Sequence, residues 1–424
     1  MPMNRMLTFL CALAFSDVHA QTPNGLALLD SLVQSVKFHP AGAPLAFPAV
    51  DLKSADHALV LAFDHLGPEL VDYVYTIEHC DHDWKRSVMM EQDYLHGFLE
   101  DRIVEIENSQ GTRTPYTHYT LRLPNQNIRW LLSGNYLLKV YDNSGSERRL
   151  VLVRRFCVLE SRFAVQPQMV SVVRVDRLFT HQELDFTVKH KNIRIVNPQY
   201  DVAAYVLQNG RWDTAKGPLR PNILRNEEMV FDFQDSLVFP AGKEWRFFNL
   251  RTFDFQGENV KSIVERFDHF EATLVTDETR AGRPYILRAD INGHFIIENQ
   301  TPGRNLLQCE YANVLFSIRR DFPYEDEDVY VFGELSNWQV HPRFRMTYLP
   351  EAEAYVLETP LKQGYYNYQY LVVNRDTGAV DEEGLEGNWH AAGNAYQVLV
   401  YYRPFGERYD RLFGYGSANS LDRR

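Results

Sequence analysis

From residue 57 onward the chain reads as short runs in which apolar and polar positions alternate, broken by turn residues. A period of two sends successive side chains to opposite faces of an extended strand. Strands recurring at this spacing predict an antiparallel β-sandwich. His57–Phe63, Val71–Glu78, Tyr116–Leu123, Tyr136–Tyr141 and Leu150–Val158 make one series, with turn signals at Ser133-Gly134-Asn135 and Asn143-Ser144-Gly145. A second series begins near Arg162 with Glu183–Val188, Asp201–Gln208, Glu228–Phe233, Glu244–Phe253 and Phe270–Val275. Within it Asn209-Gly210 predicts a hairpin turn between Ala203–Gln208 and Arg211–Trp212, since both residues accept φ > 0. Thr301-Pro302-Gly303 marks the next boundary. A third series follows in Val314–Ile318, Asp328–Phe332, Ala354–Leu357, Tyr365–Val373 and Tyr396–Tyr402. The fold class is therefore all-β, with tandem immunoglobulin-like β-sandwich domains over 21–160, 161–304 and 305–424. No low-complexity linker separates them, so the three units are expected to dock. Helical periodicity is scarce. Gly25–Val36 fits an amphipathic helix or an extended segment lying on the first domain, and the tail Gly414–Arg424 is expected to be frayed.

The first twenty residues differ from the rest. Arg5 precedes the apolar run Leu7–Phe15, and Val18-His19-Ala20 fits a small-x-small cleavage site, with Gln21 as the mature start. The run is shorter than the about 20 residues a membrane-spanning helix needs. Residues 1–20 therefore read as a secretory signal, and the mature chain as soluble and exported. Cys11 sits inside the apolar run behind Leu10, which argues against lipidation. The sequence holds 26 Phe, 24 Tyr and 6 Trp, a composition that suits pleated surfaces. A net charge of −12 repels phosphate backbones and anionic membranes, so neither nucleic acid nor membrane insertion is expected. Cys80, Cys157 and Cys309 remain after cleavage, far apart and without a C-x-x-C pair, so at most one disulfide is possible.

Candidate chemistry is thin. His79-Cys80-Asp81-His82-Asp83 contains residue types that ligate zinc or copper. The strand period instead places Tyr73, Tyr75, Ile77 and His79 on one face and Cys80 on the other, with a turn at Asp81–Asp83. A structural strand and turn is the reading, with no metal and no cofactor. His118, in Tyr116-Thr117-His118-Tyr119, could act as a general base, but no G-x-S-x-G elbow or H-E-x-x-H helix accompanies it. Glu325–Asp328 reads as a solvated acidic loop, since it lacks the geometry of calcium loops.

Phe332-Gly333-Glu334-Leu335-Ser336-Asn337-Trp338 and Lys362–Tyr370 (KQGYYNYQY) are similar to early-set immunoglobulin-like domains, which include glycogen- and starch-binding modules. Trp338, Tyr366 and Tyr370 could then stack on sugar rings, which makes a periplasmic carbohydrate-binding protein the alternative function. The plainer reading has these rings filling the sandwich and its rim.

A wider resemblance runs through Tyr73–Trp84 (YVYTIEHCDHDW), Pro115–Leu123 (PYTHYTLRL), Ser133–Tyr141 (SGNYLLKVY), Arg155–Val158 (RFCV), Gln208–Trp212 (QNGRW), Asp290–Phe295 (DINGHF), Lys362–Tyr370, Glu386–Asn388 (EGN), and Val400–Tyr402 with Arg408–Asp410. In this order the segments resemble the type IX secretion system plug protein family of the Bacteroidota. Gly242-Lys243-Glu244-Trp245-Arg246 departs from an expected G-N-E-F-R but keeps its Glu, Arg and an aromatic. The resemblance implies a non-enzymatic periplasmic protein, a monomer when free. It would close the periplasmic mouth of a large outer-membrane β-barrel translocon when no cargo is engaged. It carries over no catalytic positions. The motif residues Tyr73, Tyr75, His79, Asp81, Trp84, Tyr116, His118, Tyr119, Gly134, Tyr136, Gln208, Asn209, Gly293, Gly364, Tyr366 and Tyr368 are expected to define the fold and are candidates for the interface.

Overall fold

A computed structural model describes residues 27–28, 30–53 and 58–422; the signal segment 1–20 lies outside them. Alternating runs become strands almost one for one, and the strands assemble into three two-sheet sandwiches. In the first, Tyr73–Cys80, Gly134–Asp142 and Arg149–Leu159 form the centre of one sheet. Val33–Pro40, Leu59–His65, Thr117–Leu123 and Glu105–Asn108 form the facing sheet. Between them lies a core rich in aromatics, where Phe63 stacks on Tyr119 and Tyr136 on Phe156. Within the amphipathic candidate, Ala27–Leu28 is a strand and the end of the segment begins the strand Val33–Pro40.

The other two sandwiches correct the expected order along the chain. Ala164–Val170, His181–Lys189, Ile223–Arg225 and Glu228–Phe231 form one sheet of the second. Its partner sheet runs Lys216–Leu219, Val202–Gln208, Ala395–Tyr402, Arg411–Asn419, so half of it comes from the end of the chain. The third sandwich is built from what lies between. Gly364–Asn374 pairs with Arg246–Asn249, Phe295–Ile297 and Glu327–Phe332. Opposite it, Val260–Glu265, Phe270–Leu274, Tyr311–Arg319 and Ala354–Lys362 form the second layer. The third sandwich is thus inserted into the second, and the division at residue 304 does not hold. Glu244–Phe253 and Phe270–Val275 belong to the third unit, and Tyr396–Tyr402 to the second. Alternation fixes which face of a strand is buried but carries no information on its neighbour. Insertion is tolerated because the ends of the inserted unit need only leave and re-enter the host at adjacent strand ends.

Two smaller expectations also change. Of the tail expected to fray, Gly414–Asn419 belong to the strand Arg411–Asn419, which pairs with Ala395–Tyr402, while residues 423–424 lie outside the described residues. Asn209 and Gly210 do turn with positive φ (55° and 71°), but the chain loops through Trp212 before Lys216–Leu219 returns as the paired strand. The three cysteines among the described residues, Cys80, Cys157 and Cys309, are buried thiols. Cys80 and Cys157 face the same residue, Asn135, from opposite sides of the central strand. That separates them by two strand spacings, about 9–10 Å, which is beyond disulfide reach.

Candidate functional site

The motif segments divide between the sandwich cores and the seams where sandwiches meet. At the seam of the first and second units, the segment from His79 to Trp84 acts as a tongue. His79 is fully buried and shares hydrogen bonds with Ser87 Oγ (2.8 Å) and the Ser133 carbonyl (3.2 Å). The carbonyl can only accept, so Nε2 carries the proton and Nδ1 accepts from the serine hydroxyl. Burial pushes its pKa down to about 4, so the ring is neutral. Tyr136 and Tyr409 pack edge-on against it. Gly134 sits beneath at φ +139°, where a Cβ would lie 2.7 Å from His79 Nε2 and 3.1 Å from the Asp410 carbonyl. The His82 amide donates to Asp410 Oδ2 (3.0 Å), its ring bonds the Tyr205 hydroxyl (2.9 Å), and Asp81 faces Arg403 at 3.5 Å. Trp84 meets Trp212 edge-on, with the Arg155 guanidinium 4.4 Å over the Trp84 ring. Asn135 accepts from the Tyr401 hydroxyl at 2.7 Å. These residues dock one sandwich on another, and among the described residues no group of three or more His, Cys, Asp or Glu is placed to hold a metal.

The first and third units meet over buried charge. Asp64 binds Lys362 Nζ (2.6 Å), His118 Nδ1 (2.6 Å) and the Tyr311 hydroxyl (2.7 Å). Burial would raise the Asp64 carboxyl, but Lys362 and His118 together hold it below its ordinary value. Lys362 also lies 3.9 Å over the Tyr116 ring, whose hydroxyl donates to the Leu306 and Cys309 carbonyls. His118 is therefore a hydrogen-bond partner of Asp64 within the first sandwich, its Nδ1 taken up beside the inter-unit pair of Asp64 and Lys362. A second contact joins Lys37 to Glu334 (2.5 Å) and to the Phe295 carbonyl (2.9 Å). Burial opposes ionisation of Glu334, yet Lys37 and His294 pull its pKa down to about 2.

Within and between the second and third units the pattern repeats. Gln208 donates to the Pro240 carbonyl, and Asn209 exchanges hydrogen bonds with Asn394 and the Ala395 amide. Arg211 bonds both Asp213 and Glu382 at 2.6 Å, the latter from the third unit. Arg246 of the Gly242–Arg246 segment meets Glu386 of the Glu386–Asn388 segment at 2.9 Å. Gly293 lies under the Trp245 and Trp338 rings, and Gly364 opens the Tyr-rich strand opposite Ile297.

Several sequence expectations are thereby corrected. Tyr366 and Tyr370 are each 1% exposed, and Tyr368 is 2% exposed. The Tyr366 hydroxyl donates to the Lys362 carbonyl, and those of Tyr368 and Tyr370 donate to Asp277. Neither proposed sugar-stacking tyrosine presents a face. Trp338 is half-buried against Trp245, Phe332 and His294, so the stacking trio does not exist as a surface. Tyr73, Tyr75, Tyr119 and Tyr136 belong to the first core, which removes them as interface candidates. The residues missed from the sequence are Lys37, Asp64, Glu334 and Lys362. The strand pattern gave no signal for them: Asp64, for example, alternates onto the face opposite Leu59, Leu61 and Phe63, where a charge is expected.

Comparison with known proteins fits this architecture. A family model described as "Type 9 secretion system plug protein 1st domain" matches residues 33–160, which is the first sandwich. A crystal structure of a hypothetical protein from Parabacteroides merdae is 30% identical, covers 94% of this chain and all of its own, and superposes with a TM-score of 0.88. The C-terminal domain of the antigen I/II-family protein AspA of Streptococcus pyogenes aligns at 8% identity and a TM-score of 0.18, too low to carry any structural argument. No curated protein matches. With the first sandwich matched by the family model, and the motifs accounted for as the cores and seams of one three-sandwich body, the chain belongs to the type IX secretion system plug protein family.

Proposed function

We propose that this protein is the periplasmic plug of a type IX outer-membrane translocon, filling the barrel's periplasmic mouth when no cargo is engaged. The observation that carries the reading is the buried Asp64–Lys362 pair, whose side chains are 1% and 2% exposed, between the first and third sandwiches. Parting these units would break a hydrogen-bonded ion pair and open a dry, packed seam to water, and the third unit is itself inserted in the second. The three sandwiches therefore move as one body. A stiff stopper loses little conformational freedom on binding, which favours a preformed surface. Among the described residues no helix is long and apolar enough to cross a membrane. The protein works as a monomer when free, without catalysis, held by contacts that cargo displaces.

Deleting the gene should make the outer membrane more permeable to large solutes, and only in cells that also carry the barrel. The detergent-solubilised barrel should co-purify with this chain as bait. Unchanged permeability in both backgrounds, together with a barrel that purifies alone, would end the proposal.

A further inference from the structure

The three sandwiches leave a cavity of about 250 Å³ where they meet. Its walls come from all three: residues 44–48 and the Arg154–Arg155 stretch of the first, the turn around Asn209, Gly210 and Trp212 of the second, and the loops carrying Ile291, Asn292 and Trp338 of the third. Most of the wall is apolar, but two polar groups stand out. Arg155 is 8% exposed, and its Nε is buried without a hydrogen-bond partner. The guanidinium packs beside the edge-to-face pair of Trp84 and Trp212, 4.4 Å and 5.5 Å from their ring centres, and makes no ion pair with them. Among the described residues the titratable groups that act on it are Cys157, Cys80 and Tyr401, and no carboxylate serves as its counter-ion. Burial pushes its pKa down to about 10, so it is still cationic at neutral pH. On the third sandwich, Asn292 Oδ1 is also buried without a partner. Arg155 and Asn292, each carrying a buried polar atom without a hydrogen-bond partner, thus line one cavity.

We propose that this cavity binds a small organic carboxylate with an apolar or aromatic body, the carboxylate on the edge of Arg155 and a donor group of the ligand on Asn292. A guanidinium edge matches a carboxylate bidentately. The apolar wall from Phe47, Trp212, Ile291 and Trp338 covers the body. A phosphate fits less well. Its second charge would meet Asp290 and Glu334, which also line the cavity, and a buried unpaired charge is costly. The same chemistry is offered by a free acid and by the C-terminus of a peptide ending in an apolar residue. The test of this site uses the isolated full chain and needs no barrel.

The probes are N-acetylphenylalanine, its amide, inorganic phosphate, and a pentapeptide ending in free phenylalanine. Binding is read by tryptophan fluorescence, since three indoles surround the site, and by calorimetry. The free acid should saturate the signal and bind at least about tenfold tighter than the amide or phosphate. Arg155→Lys keeps the charge but loses the fork, and Asn292→Asp sets a carboxylate against the ligand at a position where Asp tolerates the positive φ of 51°. Each should lose about tenfold in affinity for the acid while keeping the wild-type melting transition. A pentapeptide that binds as well as the acid identifies chain ends as occupants, and one that does not bind identifies free acids. Equal binding of acid and amide, preference for phosphate, absence of a saturable signal in the wild type, or an acid-to-amide ratio unchanged in both variants would overturn the assignment.

Discussion

Single residues at the seams carry constraints that would be invisible on an isolated sandwich. Gly134 is held at φ +139° between the His79 ring and the Asp410 carbonyl, so it answers to both the first and second units. Gly134→Ala must move one of them, and should destabilise the protein by about 1–3 kcal/mol in urea unfolding. His79 adds a pH dependence. Its folded pKa of about 4 lies below the ordinary 6.5, so between these values the unfolded chain binds the extra proton. Stability contributed by the neutral ring is present above pH 6.5 and is lost as pH falls toward 4, a total of about 3 kcal/mol. Carboxylates titrate in the same range with both signs: Asp185 is raised to about 6 by burial, whereas Glu334 is lowered. The expected result is therefore a difference. Unfolding free energies of His79→Gln against pH should rise less steeply from pH 4 to 6.5 than those of the wild type. Parallel curves would show that His79 is not a buried neutral group.

At the level of elements, the strands that form the inter-unit contacts pair a regular alternation with one buried charge. Leu59–His65 is apolar at Leu59, Leu61 and Phe63 on one face, and its Asp64 is buried on the other, against the third sandwich. The partner Lys362 ends the Ala354–Lys362 strand in the same way. Lys362→Met leaves Asp64 with His118 and Tyr311 but without its principal cation, and should cost about 3–5 kcal/mol. Replacing both, as Asp64→Leu with Lys362→Met, removes the stranded charge and should recover a large part of that loss in the same denaturation assay. If the single and double variants were equally destabilised, the pair would not be what couples the two strands.

For the whole molecule, the insertion of one sandwich into another makes a prediction that three consecutive domains would not. Ala395–Tyr402 is an interior strand of the second unit, lying between Val202–Gln208 and Arg411–Asn419. A chain truncated after residue 390 should lose the second sandwich, because Tyr396, Val398 and Val400 leave its core. Limited proteolysis should then cut first within residues 164–240, far from the truncation, while the first sandwich stays resistant. Protection of 164–240 in the truncated chain would contradict the strand order. Hydrogen exchange offers a second reading of the same coupling, since Val202–Gln208 and Ala395–Tyr402 should exchange together as one cooperative unit.

The sequence by itself determined the all-β class and the positions of many strands and turns, because a period of two and a few turn residues act locally. It also carried the family, through motifs such as Tyr73–Trp84 and Lys362–Tyr370 that must keep their residue types to fill tight cores and seams. The tertiary structure decided which strands pair, and so the nesting of the third sandwich in the second, since alternation is the same whichever neighbour a strand takes. It alone decided that His79, Asp81 and Trp84 face the second unit, and that Tyr366 and Tyr370 close on Asp277 and Lys362 instead of offering rings to a sugar. Lys37 and Asp64 looked like ordinary surface charges until their partners, nearly 300 residues away in the chain, were brought within hydrogen-bonding distance. Pairing of that kind depends on long-range contacts that no local pattern records.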